Sequence, residues 1–349
     1  MFVQWALLIV GGGLAGIVLH RIGLPAALFL GPMAVAVSMG VMGTTIRIPQ
    51  LFFRSGQGVV GLMVAKSVTL SVLLALSKDW HLMLLMTALT ILLSAGVGLG
   101  LASLRRIPAD AAAWGTAPGA ASAMVAMAEE YGSDGRLVAC MQYIRVVCVV
   151  MLGAWISHVF VASSSQHAAN VIIEAPFTWL GLGTTLTLAF LGALSGNFVP
   201  AGALLTPIIV GSALQLTGWL DITLNGTLMA LAYGAIGSYI GLRFDRATVI
   251  QVAGMIPTII LANLVLILLC TFLAWPLSHL FEKDFLSVFL ATSPGGLDAM
   301  AIIAVETGSD ASFVVALQTL RLIGVVVAGK LFAQLIIALT ARLSTAKNK

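Results

Sequence analysis

The chain carries one stretch twice: TAPGAASAMVAMAEEYGSDGRLVACMQYIRV at Thr116–Val146 and TSPGGLDAMAIIAVETGSDASFVVALQTLRL at Thr292–Leu322. The offset is 176 residues without a gap, and 13 of 31 positions are identical. A shared apolar bias cannot produce matches at Pro, Glu, Asp, Gln and Arg, so the stretch marks an internal duplication. A second pair, PAALFLGP at Pro25–Pro32 and PAGALLTP at Pro200–Pro207, repeats at an offset of 175. The chain therefore divides into a first repeat, 1–170, and a second, 171–349.

Composition says what surrounds these repeats. The chain is 60% hydrophobic and 9% charged, against roughly 25% charged in an ordinary soluble domain. Apolar runs near 20 residues recur throughout, each long enough to cross a hydrocarbon core of about 30 Å. The fold class expected is an all-α polytopic membrane protein. Spans are predicted near 2–19, 24–43, 55–76, 81–103, 112–131 and 135–162 in the first repeat. Those in the second are near 177–197, 200–219, 225–242, 249–275, 285–306 and 311–340. The opening MFVQWALLIVGGGLAGIVLH has no basic n-region and no small-residue cleavage site, and reads as a retained span. Cys140, Cys148 and Cys270 sit in apolar runs without metal spacing.

Pro118–Gly119 and Pro294–Gly295 fall in the middle of the short segments, where Pro breaks a helix and Gly loosens it. If each short segment is re-entrant, each repeat has five crossings and the two are inverted. The expected cytoplasmic ends then carry Arg47, Arg54, Arg105, Arg106, Arg136, Arg243, Arg246, Arg342, Lys347 and Lys349, against Arg21, Lys78 and Lys283 outside. Fully crossing segments would make the repeats parallel and the split eight to five. The positive-inside rule favours inversion, with both termini cytoplasmic. Inverted repeats with broken helices are a transporter pattern, with half-helix N-termini pointing at a midplane solute.

Arg145 and Arg321 lie about ten residues into the final helices, or about 15 Å at 1.5 Å per residue. An arginine at that depth is costly and marks function by default. Gln142 and Gln318 lie three residues earlier on the same face. Two readings stand side by side. The guanidinium and amide can recognise an anionic or carbonyl group with the half-helix ends, or they can cap carbonyls freed by the broken helix. The candidate solute-binding set is Thr116, Pro118, Gly119, Gln142 and Arg145 with Thr292, Pro294, Gly295, Gln318 and Arg321.

Glu130 and Glu306 are candidates for gating or proton relay, while Asp134 and Asp310 read as N-caps of the final helices. Asp298 has Ser122 as its counterpart. An unmatched acid beside a broken helix can carry a coupling proton, or it can pair with Arg145, Arg321 or Lys330. Lys66 and Lys330 can snorkel or pair. Gly56-Gln57-Gly58-Val59-Val60-Gly61 matches GxGxxG but opens an apolar span, which excludes the dinucleotide reading. Gly12/Gly16, Gly96/Gly100 and Gly237/Gly241 have the spacing of close helix packing. The five histidines are scattered, so no metal site, cofactor or catalytic constellation is expected, and no enzyme activity.

The TAPGA–AxxM–GSD–Q–R and TSPGG–DAM–GSD–Q–R blocks resemble the AbrB membrane-protein family, in which such a unit is duplicated. The resemblance covers both halves. It implies a multipass protein of the bacterial inner membrane. Family members bear conflicting labels: regulators of aidB expression, ammonia monooxygenases and transporters. The family is distinct from the soluble DNA-binding regulator of the same name, and it supplies no established role for the matched residues. The function expected is secondary transport of a small solute, an anion if the arginines read it, by alternating access. The alternative is a membrane sensor that affects gene expression indirectly. Ammonia oxidation would need bound metal, for which the scattered histidines offer no ligand set. The partners expected are membrane lipid and the solute, without nucleic acid; a second copy of the chain is left open.

Overall fold

In lipid, a helix satisfies its own backbone polar groups, and long apolar runs punctuated by Gly and Pro have few other options. The computed structural model describes residues 2–70, 74, 77–104, 107–119, 121–163, 179–198, 201–219 and 222–346. Among these residues there is helix and no strand. In chain order the helices are α1 (Phe2–Arg21), α2 (Ala27–Val41), α3 (Gln50–Ala65), α4 (Trp80–Ser103), α5 (Ala109–Thr116), α6 (Ala121–Glu130), α7 (Gly135–Ser163), α8 (Trp179–Ser195), α9 (Gly202–Leu216), α10 (Gly226–Gly241), α11 (Arg246–Val252), α12 (Ile256–Leu280), α13 (Phe285–Thr292), α14 (Leu297–Glu306) and α15 (Ala311–Ala346).

Four helices are long and apolar enough to cross a membrane: Phe2–Arg21, Trp80–Ser103, Gly135–Phe160 and Ile256–Leu280. Ala27–Val41, Gly181–Ser195, Gly202–Leu216 and Ala311–Val325 are apolar and shorter. The outer face of α12 shows what such helices meet. Leu261, Leu268, Phe272 and Trp275 recur at helical spacing and are all exposed. A stripe of that kind suits hydrocarbon.

Four expected spans differ. The run 55–76 is not one helix: α3 covers Gln50–Ala65, and residues 66–69 are not helical. The run 249–275 is not one helix: α11 ends at Val252, a turn covers 253–255, and α12 starts with Pro257 in its first turn, where a missing N–H costs nothing. The runs 112–131 and 285–306 are each two short helices, separated at the Pro-Gly positions. The expected repeat boundary at 170/171 lies outside the described residues, as do Pro200, Lys347 and Lys349.

The chain forms two compact units. One comprises Met1–Lys78, Met151–Arg246 and Asp298–Val314; the other comprises Asp79–Val150, Ala247–Leu297 and Val315–Lys349. Each unit thus draws on both halves of the sequence. In the first, α2 packs against α1 and α10, and α3 against α8, α9 and α10. In the second, α4 packs against α5, α12 and α13.

Small residues set the first unit's packing. A Cβ on Gly31 would lie 2.2 Å from the Gly16 nitrogen, and one on Gly237 2.3 Å from the Phe29 carbonyl oxygen. Backbones approach this closely only where side chains are absent. The Gly96/Gly100 pair does not behave so: a Cβ at either position meets nothing within 4 Å. Both glycines face outward on α4, so the spacing there marks no helix contact among the described residues.

Local geometry recurs at the repeat offsets. Ala26 (φ 56°) and Ala201 (φ 57°) adopt the left-handed conformation just before α2 and α9, which contain Pro32 and Pro207. Gly132 and Gly308 both have positive φ and both precede a final helix.

Two clamped helix breaks as a candidate functional site

Proline disfavours an α conformation in the residue before it, and the helices running toward Pro118 and Pro294 stop there. Helix α5 does so at Ala117 (φ −57°, ψ 126°), and α13 at Ser293 (φ −61°, ψ 142°). Both C-caps are extended. The last-turn carbonyls of each half-helix are then left without intrahelical donors. In a membrane interior those groups need other partners.

Gln142 and Arg145 supply them on the first break. Gln142 Nε2 donates to the carbonyls of Trp114 at 2.8 Å and Ala117 at 3.2 Å. Arg145 Nη1 donates to Ala117 at 2.7 Å, and Nη2 to Gly119 at 3.3 Å. The second break repeats the scheme. Gln318 Nε2 donates to Leu290 at 2.9 Å and Ser293 at 3.1 Å. Arg321 Nη1 donates to Ser293 at 2.7 Å, and Nη2 to Gly295 at 3.2 Å. Sequence separations match bond for bond: 28, 25, 28 and 26 residues in each half. A cation at a helix C-terminus also meets the negative end of the helix dipole.

The capping reading thus accounts for the Nη atoms. It does not account for everything. Arg145 Nε, Arg321 Nε and Gln142 Oε1 are buried and have no hydrogen-bond partner among the described residues. Arg145 and Arg321 are only 2% and 4% exposed. Two guanidiniums in an apolar interior, each with a free N–H, are short of negative charge.

The other candidates separate. Thr116 and Thr292 spend their hydroxyls on their own helices, donating to Ala112 at 2.8 Å and to Val288 at 2.9 Å. Glu130 is exposed at the end of α6. Glu306 is not its mirror: its Oε2 accepts from the Ala26 N–H at 2.6 Å, at the left-handed corner before α2. Asp134 caps α7 by accepting from the Arg136 and Leu137 N–H groups, and Asp310 caps α15 by accepting from Phe313 N–H. Lys66 stands at the C-cap of α3, and the side chain of Lys330 lies outside the described residues.

Asp298 is half-buried in the first turn of α14 and accepts from Gln57 Nε2 at 2.8 Å. Gln57 was missed by sequence reasoning. Its signal was a lone amide inside the Gly56–Gly61 run, where the glycines drew attention instead.

A helical protein with apolar, membrane-length helices and two arginine-clamped helix breaks is thereby defined. The chain belongs to the AbrB family: the family model described as "Transition state regulatory protein AbrB" matches residues 28–337. The chain is 36% identical over 335 residues to "Putative regulator AbrB" of Escherichia coli (strain K12), covering 95% of this chain and 96% of that one. It is 28% identical over 295 residues to "Uncharacterized protein YhjN" of Bacillus subtilis (strain 168), covering 78% and 75%. No solved structure matches.

Proposed function

We propose that the protein is a secondary transporter of a small anionic solute, working by alternating access in a bacterial inner membrane. The observation that carries it is the pair of buried guanidiniums, each engaged with a helix break through Nη and each with Nε unpartnered. An anion bound beside such groups would offset their charge and accept hydrogen bonds from Nε without dismantling either clamp. Each clamp then acts as a positioning device: it holds a half-helix end in mid-membrane, where irregular backbone is tolerated only beside protein or a cavity.

The topology that goes with this function has two inverted repeats of five crossings and a re-entrant broken segment each, with both termini cytoplasmic. The matching bond patterns at an offset of 176 support duplication of the unit, and the basic-residue split supports inversion. Binding and movement, not catalysis, are the activity. The name borne by the E. coli relative favours a second reading, in which the same site senses a solute and alters gene expression indirectly.

The test is flux in proteoliposomes, screening radiolabelled small carboxylates and inorganic anions. Arg145→Gln and Arg321→Gln keep an amide donor for the carbonyls and remove the charge. Wild-type flux with loss in both variants supports transport through the arginines. Undiminished flux in both removes that mechanism. Saturable thermal stabilisation by an anion with no flux favours the sensor.

A further inference from the structure

Gln57 and Asp298 are 241 residues apart in sequence, yet they meet inside the first unit. The two sides of the bond differ in freedom. Gln57 stands on α3, where a Cβ on Gly58 or Gly61 would lie 2.5 Å from the Ala189 or Leu204 carbonyl oxygen. A helix packed backbone to backbone cannot slide without collision. Asp298 stands in the first turn of α14, directly after the non-helical residues 293–296. The hydrogen bond therefore ties the start of a half-helix to a fixed helix.

We infer that Asp298 and Gln57 form a proton-binding site whose occupancy decides how firmly the start of α14 is held to α3. Ionised, Asp298 accepts a charge-assisted hydrogen bond, roughly twice as strong as a neutral one. It also meets the positive N-terminal end of α14. A proton added to the carboxylate weakens both interactions, and no other bond forms or breaks. The Asp298 residue is only partly buried.

Neighbouring ionisable groups are occupied elsewhere. On α3, Arg54 donates to Asn197 and Lys66 sits at the far end. The distal part of α7 packs on α14 through Gly153, near Met300 and Ile303, and its His158 contacts the Gly23 carbonyl. On α10, Tyr233 donates to Met63 Sδ, and on α14 itself Glu306 holds Ala26. Among the described residues no three His, Cys, Asp or Glu side chains converge, so a proton suits this site better than a metal ion. The coupling role rests on the transport reading above; proton binding itself does not.

The experiment is hydrogen–deuterium exchange of the full chain in nanodiscs, without solute, across pH and corrected for intrinsic exchange. Wild-type amides of residues 297–306 are expected to lose protection roughly fivefold as pH falls. Asp298→Asn, a neutral isostere, should show the low protection at every pH, and Asp298→Glu should restore the response. Gln57→Leu should also give low protection, with only the small pH response that the helix end contributes, and it carries the test if Asp298→Asn does not fold. A wild-type pH response in either folded variant overturns the proposal. So does a wild-type change on replacing KCl by NaCl at fixed pH that Asp298→Asn lacks, because the ligand is then a metal cation. Absence of anion flux in the wild type would remove the transport reading and leave this result standing.

Discussion

The two helix breaks share four bonds and differ in what is added to them. At 114–119, Gln142 and Arg145 serve the carbonyls, and Gln142 Oε1 is left over. At 290–295, Gln318 turns its oxygen to Arg321 Nη2, and Arg321 Nη1 also reaches the Thr292 carbonyl at 3.5 Å. The second clamp is a closed network and the first an open one. Beyond the break, α14 starts with an acid and α6 with Ser122 at the same place. What the chain shares between halves is the means of holding the end of a broken helix. What it varies is the chemistry on the far side of the gap. The frame is symmetric, and one charge on it is not.

The comparison breaks most visibly at the arginines. Arg321→Ala and Arg145→Ala should each lose about 3 kcal/mol, from two hydrogen bonds to a charged donor, and Arg321→Ala should lose more. Thermal unfolding in detergent reads this, and equal losses would mean that the Gln318 link adds nothing. Removing the amides is gentler. Gln318→Leu should cost about 1 kcal/mol in the same measurement, and Gln142→Leu less, because Gln142 carries an oxygen with no partner to lose. The smallest effect comes from making the halves alike. Ser122→Asp places an acid in the first turn of α6 and should stabilise by about 0.5 kcal/mol through the helix end. No gain, or a loss, would show that this helix end already faces negative charge.

Much of this frame is legible from residues alone. Pro118 and Pro294 break a helix by local sterics, and Asp134 and Asp310 announce the helices that follow. Counting along those helices puts Arg145 and Arg321 at membrane depth. The orientation of the guanidiniums is not legible, because solute recognition and carbonyl capping place an arginine at the same height. The choice is made by unpaired carbonyls 28 residues upstream. The Gln57–Asp298 pair is hidden for a plainer reason: its partners are brought together by packing, and no local pattern links them. Gly96 and Gly100 mislead in the opposite direction. Their spacing is that of an interface, but spacing does not say which way a face points. The split at 253–255 is another local event, an Ala-Gly-Met turn ahead of Pro257, that apolar composition conceals.

Each clamp closes within fewer than 30 residues of chain. Loop closure over so short a span is entropically cheap, and contacts of low sequence separation form early. During synthesis, Arg145 can find the ends of α5 while the second half of the protein has yet to leave the ribosome. Each half thus carries a short-range set of contacts in which the buried arginine meets its hydrogen-bond acceptors without the other half. The long-range pairings, such as those of Gln57 and Glu306 with the opposite end of the chain, are left for last.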